Sequence, residues 1–360
     1  MSWERVKLKE LLTIKNGRDH KSLKDGIYPV YGSGGIMRYA DKYLYDKESI
    51  LLPRKGTLNN IQFARTPFWT VDTCYYTVVN TDRVVPYFLY RNLRQFDIEA
   101  LNTGSAVPSM TFDKYYTIEI NLPDLPTQKR IASILSAYDD LIEVNRKQIK
   151  LLEEAAERLY REWFIDLRFP GHEIATFNAD GLPEGWNSYK IDDVFSIKYG
   201  KNLATTKLLD KAQYPVYGAN GVIGRYEKKT HSDYVTLITS RGNGSGDVSR
   251  TYDKEAYITN NSFIVEPEKE FVYCGKEYTY YLIKNVYFKG VVSGSAQPQL
   301  TNMGISTLSI VIAEKGLIEK FNKITESIFA EIVILKQQII QAAEARDLLL
   351  PRLMNGEIQL

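Results

Sequence analysis

Cysteine and histidine are scarce: Cys74 and Cys274, with His20, His172 and His231, are scattered through 360 residues. There is no C-x-x-C pair and no cysteine beside a histidine, so no disulfide framework or zinc cluster is on offer, and both cysteines read as packed thiols. Three unrelated imidazoles give a metal or acid–base centre little to work with. Long apolar runs are also missing. None approaches the ~20 residues of a spanning helix, and Met1 to Glu10 alternate charges where a secretion signal would place an apolar core, so a cytoplasmic chain away from the membrane is expected. The net charge of +2 is too small to argue by itself for or against a polyanionic partner. A hydrophobic share of 44% and a charged share of 25% are those of ordinary globular proteins, which excludes disorder and fibres. Single cores stop growing near roughly 250–300 residues, so two domains with additional elements are expected.

The distribution of charge says more than its sum. Residues 1–65 hold 13 Lys and Arg against 7 Asp and Glu, residues 198–250 hold 9 against 4, and the segment 124–168 between them holds 8 against 9. Two basic regions flanking a balanced one suit a bipartite polyanion reader, because phosphate neutralisation supplies most non-specific affinity for nucleic acid.

The chain is one unit written twice. Trp3, Leu8, Leu11 and Ile14-Lys15-Asn16-Gly17 return as Trp186, Ile191, Val194 and Ile197-Lys198-Tyr199-Gly200, at an offset of 183. Tyr28-Pro29-Val30-Tyr31-Gly32 returns as Tyr214-Pro215-Val216-Tyr217-Gly218 at an offset of 186, each followed by glycines and then Arg38-Tyr39 or Arg225-Tyr226. Gly104-Ser105-Ala106-Val107-Pro108 returns as Gly294-Ser295-Ala296-Gln297-Pro298 at an offset of 190. The slowly growing offset marks loops that gained residues around a fixed framework.

Each repeat begins with β-rich segments broken by glycine: Ser49 to Leu52, Thr73 to Val79 and Tyr115 to Leu122, then Tyr234 to Thr239, Ala256 to Val265 and Thr307 to Ile312. Each ends in a long helical pattern. After Leu122-Pro123-Asp124-Leu125-Pro126, with Thr127 as N-cap, the first runs to about Phe164, and ~38 residues at 1.5 Å each would reach about 57 Å. Its apolar positions follow a heptad through Ile131, Leu135, Tyr138, Ile142, Ile149 and Leu152, and the second helix repeats it through Phe321, Ile328, Ile332, Leu335 and Ile339. Asn145 falls on the seam, where it either fixes register or is solvated. Arg346 also occupies a seam position, and Pro351 is expected to interrupt the second helix near its end. Two such helices bury their seams most simply by antiparallel pairing. The fold expected is therefore α+β: two globular mixed α/β domains separated by two long antiparallel coiled-coil helices, with a pseudo-twofold internal repeat. The divisions are 1–123, 124–168, 169–313 and 314–360.

Candidate DNA readers are Arg, Lys and Asn on glycine-bearing loops, where backbone and base edges can approach closely. In the first repeat these are Arg18, Lys21, Arg38, Arg54, Lys55, Asn59 and Asn60; in the second, Lys201, Asn202, Arg225, Arg241, Asn243 and Arg250. For any one of them the alternative is a solvated loop residue. Gly32-Ser33-Gly34-Gly35 lacks the G-K-[ST] of a phosphate loop and reads as a repeated turn. Glu227-Lys228-Lys229 with Asp210 upstream matches part of a nuclease triad, a common chance pattern without a counterpart in the first repeat. There is no glycine-rich S-adenosylmethionine loop and no [ND]-P-P-[FYW] tetrapeptide. No catalytic residue and no metal ligand is assigned. A stand-alone nuclease or methyltransferase would need those missing motifs, and a purely structural scaffold would leave the basic glycine-rich regions unexplained.

The Tyr-Pro-Val-Tyr-Gly turns, the two Gly-Ser-Ala-x-Pro loops, the Pro-Thr-Gln-Lys-Arg-Ile entry to the first helix, its exit through Arg161-Glu162-Trp163-Phe164-Ile165-Asp166, and Leu182-Pro183-Glu184-Gly185-Trp186 resemble the specificity subunits of Type I restriction-modification systems over essentially the whole chain. The resemblance implies a non-catalytic, sequence-specific DNA-recognition subunit with target-recognition domains near 1–123 and 169–313, reading an asymmetric bipartite site of double-stranded DNA with a non-specific spacer. It implies helices that recruit two modification subunits, which carry S-adenosylmethionine and methylate adenine. Restriction subunits using ATP and Mg join the full complex, and this chain carries no cofactor. Glu153, Glu154, Arg158 and Arg161 on the first helix fit either a second helical layer or a solvated face.

Overall fold

The computed structural model describes residues 3–102, 104, 107–294 and 297–358; Ser105, Ala106, Ser295 and Ala296 of the two Gly-Ser-Ala-x-Pro loops lie outside them. The chain divides into two compact units, Met1–Val144 with Gln338–Leu360, and Asn145–Gln337.

The first unit opens with an antiparallel pair, Glu4–Lys7 on Glu119–Leu122. A four-stranded sheet follows in the order Leu12–Lys15, Cys74–Val79, Ser49–Pro53 and Gln62–Ala64. A three-stranded sheet places the hairpin strand Asp25–Gly32 between Gly35–Ala40 and the parallel strand Trp69–Thr70. The second unit has the same topology: Asn187–Lys190 on Ser309–Ile312, then Phe195–Tyr199, Ser262–Pro267, Thr236–Thr239 and Val248–Arg250, then Gly221–Tyr226, Tyr214–Gly218 and Tyr257–Ile258. Ser49–Pro53 and Thr236–Thr239 are buried at every position, because both sheet faces are covered there. The repeated Gly17 and Gly200 are dictated by close backbone approach: a Cβ would lie 2.0 Å from the Val71 carbonyl oxygen in one unit and 2.3 Å from that of Thr259 in the other.

Two expected β segments are divided. Phe112–Tyr116 is helical, and the strand starts only at Glu119, because the Thr111 hydroxyl accepts from the Lys114 N–H and caps a helical turn against the β preference of Tyr115 and Tyr116. Thr301 repeats the cap on Gly304. Ala256 to Val265 is two strands in different sheets, broken by a turn at 260–261. The short helices Pro86–Leu93 and Gly275–Lys284 carry aromatic residues in a pattern that did not stand out in the sequence.

The central helix spans Leu125–Tyr160 and passes into one π turn, Arg161–Ile165, that buries Trp163 and Phe164. Its cap is Asp124, whose carboxylate accepts from the Thr127 N–H at 2.9 Å, so Thr127 lies inside the helix and not at its cap. Glu314 does the same for the C-terminal helix, accepting from Gly316 and Leu317. That helix, Lys315–Met354, passes through Pro351 without interruption: proline removes one amide donor, and the helix ends at Met354, within a turn of it. Of the seam residues, Ile131, Leu135, Ile142, Ile149, Phe321, Ile332 and Leu335 are buried, while Tyr138, Leu152, Ile328 and Ile339 are half-buried. Asn145 is buried, so its solvated alternative is set aside.

Both helices contribute to the core of each unit. Ile131, Ala132 and Leu135 join Leu350, Leu353 and Met354 in the first; Ala156, Tyr160, Trp163 and Phe164 join Leu317, Ile318 and Phe321 in the second. Asp139 meets Arg346 in the first unit and Tyr160 meets Phe321 in the second, so partner numbers fall as the central helix advances, the antiparallel sense. This is the α+β fold with an internal repeat and paired long helices expected from the sequence.

Candidate nucleic-acid interface

In each unit three loops lie side by side. The first unit brings together the hairpin tip at Gly32–Gly35, the turn Arg54-Lys55-Gly56 and the residues leading out of the Gly-Ser-Ala-x-Pro loop. The Gly56 N–H donates to the Pro108 carbonyl at 3.0 Å, the Met110 N–H donates to that of Arg54 at 2.9 Å, and Lys55 bridges to Ser109. The Asn60 amide donates to the Ser33 carbonyl at 2.8 Å and pins the tip to the turn. The second unit repeats this: Gly242 donates to the Pro298 carbonyl at 2.9 Å, Leu300 to that of Ser240 at 2.9 Å, and Arg241 bridges to Gln299. Here the Thr239 hydroxyl pins the tip through the Ala219 carbonyl at 2.9 Å. Gly56 and Gly242, at matching places in the two repeats, both have φ of +86°, the left-handed conformation that favours glycine, so each turn needs one at that point.

The candidate readers separate into three groups. Arg18, Lys21, Lys55, Lys201, Asn202, Arg241 and Asn243 are exposed and free to meet phosphate or base edges. Arg54 is half-buried, its guanidinium 5.9 Å from the centre of the Tyr75 ring. The others bond to the chain's own groups. Arg38 donates to the Leu23 carbonyl at 3.1 Å and pairs with Asp25 at 2.8 Å, and Arg225 in the other unit donates to the Ala212 and Gln213 carbonyls, so one arginine clips the same loop to the same hairpin twice. Asn59 accepts from the Ile98 and Glu99 N–H groups, and Asn60 holds the hairpin tip.

Arg250 is a correction. It is 7% exposed, forms a two-pronged pair with Glu277, and lies with its guanidinium carbon 3.7 Å from the centre of the Phe329 ring and 4.6 Å from that of Tyr280. A side chain so enclosed does not reach DNA; in sequence nothing distinguishes it from an exposed arginine, because its acidic partner is remote along the chain.

A second polar node, in the first unit, was also missed. Tyr87 and Arg346 hydrogen-bond Asp139, and the buried Arg91 stands 3.5 Å from it. Burial alone would raise the Asp139 carboxyl, but the bonds from Tyr87 and Arg346 and the charges of Arg91 and Arg346 bring it below the ordinary carboxylate range. Arg346, an odd residue for an apolar seam, is there to serve this node. Burial pushes both cysteine thiols up to about 12, the state of inert packed thiols. Among the described residues no group of His, Cys, Asp and Glu could hold a metal ion, and no helix is long and apolar enough to cross a membrane.

A recognition fold built twice, each copy exposing basic side chains on glycine turns and each anchored on two long helices, defines a protein of the nucleic-acid-recognition class. The chain belongs to the Type I restriction modification DNA specificity domain family, whose model matches residues 1–154 and 183–345. It is 23% identical to the Type I restriction enzyme MjaIX specificity subunit of Methanocaldococcus jannaschii, over 88% of this chain and 79% of that one. It is 25% identical to the HindI specificity subunit of Haemophilus influenzae, over 78% and 79%. Its fold matches the crystal structure of the Type I restriction-modification system S subunit from M. genitalium with a TM-score of 0.65 at 20% identity, covering 98% of this chain and 96% of the other. Recognition of DNA sequence for a type I restriction-modification system is accordingly this chain's function.

Proposed function

We propose that the chain reads an asymmetric bipartite site, residues 1–123 contacting one half and 169–313 the other, with an unread spacer between them. The observation that carries this is the three-loop cluster, present twice on one backbone plan with different side chains: Arg54-Lys55-Gly56 in one unit stands where Ser240-Arg241-Gly242 stands in the other. Equal frameworks with unequal readers suit two different half-sites. Lys55, Arg241 and Asn243 on the turns, with Arg18, Lys21, Lys201 and Asn202 on the neighbouring loop, contact phosphates and base edges; Arg54 assists. Arg38, Arg225, Asn59 and Asn60 hold the loops in place.

In this reading the segments 124–168 and 314–360 recruit two modification subunits, which bring S-adenosylmethionine and methylate adenine, and restriction subunits with ATP and Mg complete the cytoplasmic complex. The chain itself contributes no catalytic group and no cofactor. Co-expression with its modification subunit in a host lacking DNA methylation, followed by single-molecule sequencing of modified bases, tests the proposal. Two short specified elements at a fixed gap are expected; a contiguous or strictly palindromic site, or methylation by the isolated chain, would overturn it.

A further inference from the structure

The tips of the two hairpins carry an oddity that phosphate contacts do not explain. Ile36 and Met37 are 49% and 59% exposed in the first unit, and Val222 and Ile223, their counterparts in the second, are 54% and 41% exposed. In each hairpin the register slips by one residue at the same place. Val30 pairs with Arg38 and Tyr31 with Ile36, leaving Met37 unpaired; Val216 pairs with Gly224 and Tyr217 with Val222, leaving Ile223 unpaired. Such bulges re-aim a side chain. The glycine closing each Tyr-Pro-Val-Tyr-Gly motif makes room for it: a Cβ on Gly32 would lie 2.8 Å from Met37 Sδ, and one on Gly218 would lie 3.0 Å from Ile223 Cγ2. Both units thus lay an exposed apolar side chain across the end of a hairpin, with a second one beside it. The tip is fixed next to the exposed basic turn, by Asn60 on the Ser33 carbonyl and by Thr239 on that of Ala219.

We propose that the two tips are apolar base contacts, Ile36 with Met37 in one half-site and Val222 with Ile223 in the other, and so determine specificity there. The proposal rests on the DNA-reading role of the two units. The neighbouring cations fix the occupant: Lys55 and Arg241 bring phosphate to the tip, and the apolar surface that DNA offers within reach of its phosphates is that of its bases. That surface takes two forms, the thymine methyl in the major groove and the face of a base at an opened step. Ile-Met in one unit and Val-Ile in the other keep apolar character with different shapes, as two readers of unlike sequences would.

The full chain assembled with its modification subunits is used to select duplexes from a pool with randomised positions. Ile36→Ser with Met37→Ser is expected to erase preference at one or two base pairs of a single half-site and to weaken binding of the selected duplex roughly tenfold, with the salt dependence unchanged. Val222→Ser with Ile223→Ser does the same to the other half-site. Met37→Leu and Ile223→Leu, which keep the apolar surface, retain wild-type preference. Deoxyuridine in place of thymidine reproduces the serine effect where the methyl is touched; a rise in 2-aminopurine fluorescence on binding, lost in the serine variants, marks an opened step. Serine variants with wild-type preference, leucine variants as impaired as the serine ones, or neither DNA probe responding would overturn the proposal. Failure of the DNA-reading role itself has a different signature, wild-type protein that enriches no sequence.

Discussion

The two units share one strand order and differ at the place where the short helix meets its surroundings. In the first, Tyr87 near the helix start reaches Asp139 on the central helix, and Arg91 and Arg346 complete the node. In the second, Glu277, the counterpart of Tyr87 on the matching helix, turns to the strand residue Arg250, whose guanidinium is sandwiched by Phe329 and Tyr280. Nearby, Tyr252 donates to Glu153 on the central helix, and the half-buried Lys336, lowered by burial, lies over the Tyr252 ring at 3.8 Å. One backbone plan therefore accepts unrelated polar clusters, each built on a buried arginine that meets a carboxylate. The apolar framework sets the fold, and the nodes tie each recognition fold to the helices that carry it.

Breaking the tighter node has the largest expected effect. Arg250→Ala leaves the buried Glu277 carboxylate without its cation and should cost about 3–5 kcal/mol of stability in the second unit, read as loss of hydrogen-exchange protection confined to 145–337. Replacing both partners with apolar residues of similar size should recover most of that loss, because buried ion pairs compare poorly with well-packed apolar groups. If Arg250→Ala abolished DNA binding with stability intact, its structural assignment would be wrong.

The first unit's node is more open, and Asp139→Ala should cost about 2 kcal/mol, less than the Arg250 variant, by denaturant unfolding followed within that unit. It also carries a pH signature. The Asp139 pKa is lowered in the folded protein, so its contribution is fully present above the unfolded value near about 4 and is lost as pH falls through the folded value. Asp139→Asn should flatten the acid side of the stability profile for the first unit and leave that of the second unchanged. Smaller still, Lys55→Ala and Arg241→Ala should each weaken DNA binding across all sequences and reduce the slope of log affinity against log salt by about one; an unchanged slope would place these residues off the DNA.

The repeat, the two long helices and most of their buried seam were legible because periodicity survives in sequence: Ile131, Leu135, Phe321 and Leu335 fall on their heptads and are buried. Ala132, Phe329 and Val333 are buried beside the seam, because each helix packs on the recognition fold as well as on its partner, so the apolar stripe is wider than two positions per heptad. Phe112–Tyr116 escaped because a threonine cap outweighs aromatic β preference over one turn. Of the candidate interface, the loops were legible in sequence and the bonding of single side chains was not. Glycine turns and basic character are local, whereas the partners that engage Arg38, Asn59 and Arg225 and that bury Arg250 lie 12 or more residues away along the chain.

The first unit closes its core with Leu350, Leu353 and Met354, residues translated long after its last strand at Glu119–Leu122. The second unit, 145–337, is contiguous and can fold as it leaves the ribosome. The amino-terminal half thus waits with an unfinished hydrophobic surface while the later half matures. A stop codon near position 338 should leave a folded second unit joined to an aggregation-prone first one, so nascent chains of this protein become competent from the middle outward.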